Sequence, residues 1–133
     1  MDVNAKLTLS YYKDIADLNP EHHVSLVQHI ESNKIYVKKV LYQYNKDIYL
    51  GLLCHPVAGI PKLYEVIENN DELIIIEEYI SGETFQEMID NHTHISVYEA
   101  CEYILQICDC LSNLHHLKTV FLLPIILLPL FLS

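Results

Sequence analysis

Apolar and polar positions alternate along the chain in short runs rich in Ile, Val, Leu and Tyr, separated by polar turns. "DIADL" and "HHVSLVQHI" read as two short strands joined by the polar turn "NPEHH". "ESNK" is a turn, and "IYVKKVLYQY" is a third strand. "KDIYLGLLC" fits a short helix with Ile48, Leu52 and Leu53 roughly on one face. "HPVAGIPK" holds two prolines and a glycine, which interrupt any regular element. "KLYEVIE" and "ELIIIEEYI" flank "NND", the pattern of a hairpin around a tight turn. "SGETFQEMIDN" opens a further short helix.

From Ser96 the period changes from that of a strand to that of a helix. Ser96 and Glu99 make an S-x-x-E start. Apolar residues then recur at Ala100, Tyr103, Ile104, Ile107, Cys108, Leu111 and Leu114, three and four apart. The expected fold class is therefore α+β: five strands with one small helix after the third, then helices.

After Lys118 the pattern stops. "TVFLLPIILLPLFLS" is uncharged, but its apolar stretch from Val120 to Leu132 is shorter than the roughly 20 residues a spanning helix needs. Pro124 and Pro129 weaken it further as a helix. A buried or aberrant tail is the expectation, with a membrane anchor formed by residues 119–133 as the alternative.

The 133 residues amount to one ordinary domain or half of a larger one, and at 51% hydrophobic they can form a core. The formal charge is −10, and all 8 basic residues are lysines. Phosphate-backbone binding rests on clustered Lys and Arg, so nucleic acid is not an expected partner. Four cysteines, Cys54, Cys101, Cys108 and Cys110, follow a start that has no basic run leading into an apolar one. They are expected as reduced core residues of a cytoplasmic protein, membrane association being the alternative. Cys108, Cys110, His115 and His116 do not have the usual zinc spacing, so no metal site is assigned.

Two adjacent lysines interrupt the third strand. Neighbours on a strand point to opposite faces, so Lys38 and Lys39 cannot share an environment. Either the strand is an edge with two solvated lysines, or one lysine is placed to meet an anion.

The order of these segments resembles the N-terminal lobe of a eukaryotic-like (bacterial-type) serine/threonine protein kinase, over about residues 11 to 117. "IYVKKVL" is similar to the family's V-A-I-K strand, with Ile35, Tyr36 and Val37 on V-A-I and Lys38 on the lysine. "HPVAGIPKLYEVIENNDELIIIEEYISGETF" resembles the passage from the lobe's helix through strands four and five into the hinge. "SVYEACEYILQICDCLSNLHHL" resembles the long helix that opens the C-terminal lobe. The implied organisation is an N-lobe over 11–80, hinge and first C-lobe helices over 81–117, and a non-family tail over 118–133.

The resemblance implies an ATP site. Lys38 would meet the α- and β-phosphates as a point charge while Lys39 faces away into solvent. The backbone of Glu78 and Ile80 would meet the adenine edge, Glu83 the ribose hydroxyls, and Leu18, Val24 and Tyr36 the roof over the base.

Several features depart from the family pattern. "LNPEHHV" lacks the glycines that let backbone amides approach phosphates. Glu77 falls where an uncharged residue usually guards the back of the adenine pocket, and there it needs a partner or a raised pKa. The helix segment holds no glutamate to pair with Lys38, so Asp47 is either that partner or an ordinary helix-start aspartate. Neither H-R-D-x-x-x-x-N nor D-F-G follows the long helix, so no catalytic or magnesium-binding residue is assigned, although the family uses Mg. The expectation is a truncated kinase-like chain that does not transfer phosphate alone. Two other readings stay open: an interaction module whose C-lobe face is covered or completed by a protein partner, and a membrane-tethered fragment.

Overall fold

The computed structural model describes residues 2–116, so the expectations for the apolar tail lie outside the described residues. These residues form two compact units, 2–56 with 61–79 and 57–60 with 80–116.

The first unit is built on a five-stranded antiparallel sheet. Its strands are β1 (Tyr12–Asn19), β2 (Val24–His29), β3 (Ile35–Leu41), β4 (Leu63–Asn69) and β5 (Glu72–Glu78), in the order β1-β2-β3-β5-β4. One helix intervenes after the third strand, as the pattern predicts. It is preceded by α1 (Val3–Ser10), which the reading of the sequence did not anticipate and which buries no residue. The helix after β3 is α2 (Lys46–Cys54). The resulting α+β architecture, a five-stranded sheet with its helix and the helices that follow, is consistent with the expected kinase N-lobe-like fold.

Local chemistry accounts for the boundaries. Asn45 caps α2, its side-chain oxygen accepting from the Asp47 amide at 3.0 Å, and Pro56 follows just beyond the helix end. β4 and β5 form the expected hairpin, with Asn70 in the left-handed region at φ 54°, a conformation asparagine tolerates in tight turns. β5 lies between β3 and β4, so its run from Leu73 to Glu77 is buried throughout.

In the second unit, α3 (Phe85–Asp90) begins with a full capping box. Thr84 Oγ1 accepts from the Glu87 amide at 3.1 Å, and Glu87 Oε2 accepts from the Thr84 amide at 2.8 Å. α4 (Val97–His115) is the long helix; Ser96 Oγ accepts from the Glu99 amide at 3.1 Å. Its inner side carries Ala100, Tyr103, Ile107, Cys110, Leu111 and Leu114, with Cys110 and Leu114 fully buried. Ile104 and Cys108, assigned to that stripe from spacing, are exposed instead. The core-cysteine expectation holds for Cys110 alone, since Cys54, Cys101 and Cys108 are exposed. Gly59 packs against Cys110, where an added Cβ would stand 3.2 Å from the Cys110 Cβ, and its φ of +90° already favours glycine.

Candidate functional site

Strand register sorts the residues of β3 onto two faces. Cross-strand partners share a face of the sheet. Val24 pairs with Lys39 and Lys39 with Ile75, while Val37 pairs with Glu77, so Val24, Val37, Lys39, Ile75 and Glu77 share one face. Ser25, Lys38 and Ile76 line up on the other face, as do Tyr36 and Glu78.

α2 packs on the Lys39 face. Its residues Ile48, Tyr49 and Leu52 are buried, and Tyr49 is close enough to feel the charge of Glu77. The start of the helix is tied to β4 through Glu68, whose cross-strand partner Leu73 faces the same way. Lys46 Nζ lies 3.5 Å from Glu68 Oε1, and Tyr44 donates its hydroxyl to Glu68 Oε2 at 2.9 Å.

This arrangement reverses the expected exposure of the two lysines. Lys39 is not a solvated surface residue: it is 2% exposed, and its Nζ lies 2.7 Å from Glu77 Oε1, itself 3% exposed. Lys38 lies on the face opposite α2, with its side chain 27% exposed and its Nζ 3.4 Å from Asp14 Oδ1. The expected Lys38–Asp47 pair does not form. Asp47 is exposed in the first turn of α2, where the helix dipole favours a carboxylate.

The Lys39–Glu77 pair sits among Val24, Val37, Leu63, Ile75 and Leu52, all buried. Burial lowers the Lys39 ammonium from its ordinary value and raises the Glu77 carboxyl, and the charge of each partner opposes the shift of the other. The need for a partner or a raised pKa at Glu77 is thus met on both counts. Beside the pair, the Tyr49 phenol is pushed up to about 12, mainly by burial and further by the Glu77 charge. Among the described residues its buried hydroxyl has no hydrogen-bond partner.

Tyr36, expected over the base, lies on the same face as Lys38. There it stands edge-to-face with Tyr12 at 5.6 Å and with Tyr64 at 5.0 Å, in a row of rings across the sheet. Val24 remains on the face of the buried lysine. Leu18 is 47% exposed beside the register shift of β1. The Glu78 amide donates to the Lys62 carbonyl at 2.8 Å, and its carboxylate accepts from the Lys62 amide at 3.2 Å. In the second unit Ile80 is exposed, and Glu83 Oε1 accepts from Asn91 Nδ2 at 3.3 Å.

The β1–β2 connection is a short 3-10 turn, Pro20–His22, that satisfies its own amides. His22 N–H donates to Asn19 Oδ1 at 3.3 Å and His23 N–H to the Pro20 carbonyl at 3.2 Å. What the sheet does hold is a buried cation beside a buried carboxylate, Lys39 with Glu77.

No protein-family model matches the chain. It is 35% identical over 106 residues to the carbon catabolite-derepressing protein kinase of Candida glabrata, covering 74% of this chain and 17% of that protein. To the protein of the same name in Saccharomyces cerevisiae it is 38% identical over 72 residues, 54% of this chain and 11% of the relative. The mouse myosin light chain kinase 2, skeletal/cardiac muscle, is 32% identical over 62 residues, 46% of this chain and 10% of the relative. The chain thus spans between 10% and 17% of the length of these relatives. It is protein-kinase-like in sequence, and its sheet and helices are consistent with that likeness.

Proposed function

We propose that residues 11–117 form the nucleotide-binding lobe and first C-lobe helix of a eukaryotic-like serine/threonine protein kinase, and that Lys39 is the lysine that meets nucleotide phosphate. The observation that carries the reading is the placement of Lys39. It is the buried lysine of β3, it shares a face with Val24, Val37 and α2, and its ammonium lies 2.7 Å from the Glu77 carboxylate. A compact ammonium on a β-strand is the group that kinase lobes use for the α- and β-phosphates. Val24 and Val37 flank it with the apolar surface that a base needs. ATP is the ligand we assign to this lobe.

The reading assigns nucleotide binding to these residues and no phosphotransfer. The 133 residues contain neither an H-R-D nor a D-F-G motif, which in kinases bring the catalytic base and the Mg ligands. Titration calorimetry with ATP tests it. The full chain binds, Lys39→Met in a Glu77→Met background loses binding, and Lys38→Met retains it. Binding that depends on Lys38 and not on Lys39 overturns the assignment.

A second reading, a protein-interaction module, draws on α4. Val97, Cys101, Ile104, Leu105 and Cys108 fall at helical spacing on one exposed face, beside the buried stripe. A helix apolar on two adjoining faces is suited to burial against a further polypeptide.

A further inference from the structure

The carboxylate on Lys39 comes from an unexpected place. The resemblance to kinases calls for a glutamate on the helix after β3, yet the only carboxylate of α2 is Asp47, exposed at the helix start. Glu77 comes instead from β5, the strand next to β3. It sits on the same face, diagonally across from Lys39, and the two charges are fixed by sheet register rather than by the position of a mobile element.

We propose that Glu77 is a resident anion on Lys39, occupying the place of a nucleotide phosphate and displaced from the lysine when nucleotide binds. This rests on the reading of the chain as a nucleotide-binding lobe. In the free protein the carboxylate stands 2.7 Å from the Lys39 ammonium, and the cross-strand neighbours of the pair, Val24, Val37, Leu63 and Ile75, are all buried. A phosphate brings a stronger and more highly charged set of acceptors to the same ammonium.

The displaced carboxylate needs a new partner, because an unpaired charge in that core is costly. The structure supplies two ways to meet the need. Burial already raises the pKa of Glu77, so losing Lys39 favours uptake of a proton. Tyr49 lies near Glu77 with a buried hydroxyl that has no acceptor among the described residues. An O–H donor with no acceptor among the described residues, close enough to feel the charge of a carboxylate about to lose its cation, is suited to receive it. Glu77 thus sets nucleotide affinity by competition, and Tyr49 moderates that competition.

Calorimetric titration of the full chain with ATP tests this, with thermal melts as the check on folding. Glu77→Gln removes the competing charge but keeps an acceptor for Lys39, and it is expected to tighten ATP binding about tenfold. Glu77→Asp keeps the charge but shortens the reach, and it should give a smaller gain. Tyr49→Phe should weaken ATP binding in the native background and have no effect alongside Glu77→Gln. Native chain that binds ATP at least as tightly as both folded Glu77 variants overturns the inference and leaves the nucleotide-binding reading standing. No ATP binding by any of these chains overturns that reading as well. Loss of the fold in both Glu77 variants also contradicts the inference, because Gln and Asp each keep an acceptor for Lys39 and the inference requires a site that tolerates a change of acceptor.

Discussion

Lys39 Nζ and Glu77 Oε1 meet at 2.7 Å in the core of the sheet, and both residues are almost wholly withdrawn from water. Desolvation opposes the charge on each, so the pair holds because each removes the penalty of the other. Removing one partner should therefore cost far more than removing both. Lys39→Met alone is expected to destabilise the chain by about 3 kcal/mol, and Lys39→Met with Glu77→Met to be near neutral. Urea denaturation of both single Met variants and the double closes the cycle; additive losses would deny the coupling.

Tyr49 has a second consequence, independent of ligand. Its hydroxyl is buried with no partner among the described residues, so Tyr49→Phe should be neutral or stabilising, by up to about 1 kcal/mol. The phenol titrates near 12 in the folded chain against 10.0 ordinarily. Between those values the unfolded chain has released the proton and the folded chain still holds it, so stability falls as pH rises through that window. Thermal melts across the window should show that fall in the native chain and a smaller one in Tyr49→Phe.

Much of this fold could be read from the sequence, because its signals are local. Short apolar, β-branched runs between polar turns marked the five strands, Ser96 the start of the long helix, and "NND" the hairpin. What local pattern could not decide was the choice between Lys38 and Lys39. A one-residue shift in alignment exchanges the faces of every side chain on β3, and two adjacent lysines fit either choice. The missing clue lay some forty residues away, since a carboxylate ending the apolar run "LIII" needs a cation on its own face. Register brings Lys39 to that face and turns Lys38 and Tyr36 to the other. The same limit applies to Cys110. Spacing alone cannot say which part of a broadly apolar helix packs inward, and Gly59 provides the close contact that buries it.

Gly59 and Gly51 offer a direct contrast. Gly59 has φ +90° and Cys110 pressed against its missing Cβ, so Gly59→Ala should destabilise the chain by about 1–3 kcal/mol. Gly51 lies inside α2 with open space around it, and Gly51→Ala should stabilise by about 0.5–1 kcal/mol. Melting temperatures of the two variants should move in opposite directions.

The exposed face of α4 should drive self-association. Ile104 and Leu105 are both more than half exposed within an apolar strip that also holds Val97, Cys101 and Cys108. Ile104→Glu with Leu105→Lys should lower the apparent mass in light scattering at equal concentration, with helical content unchanged. An unchanged mass would place the association surface elsewhere.

The identity of the phosphate-contacting lysine is the central claim, and an acyl-phosphate derivative of ATP addresses it directly. The amine nearest the phosphates attacks the acyl carbon, the acyl–phosphate bond breaks, and the lysine keeps the label as an amide while the nucleotide leaves. Peptide mapping by mass spectrometry then identifies the labelled residue. The label should fall on Lys39, should be suppressed by excess ATP, and should increase in Glu77→Gln. Labelling of Lys38 in its place, or labelling of Lys39 that excess ATP leaves unchanged, would contradict the account.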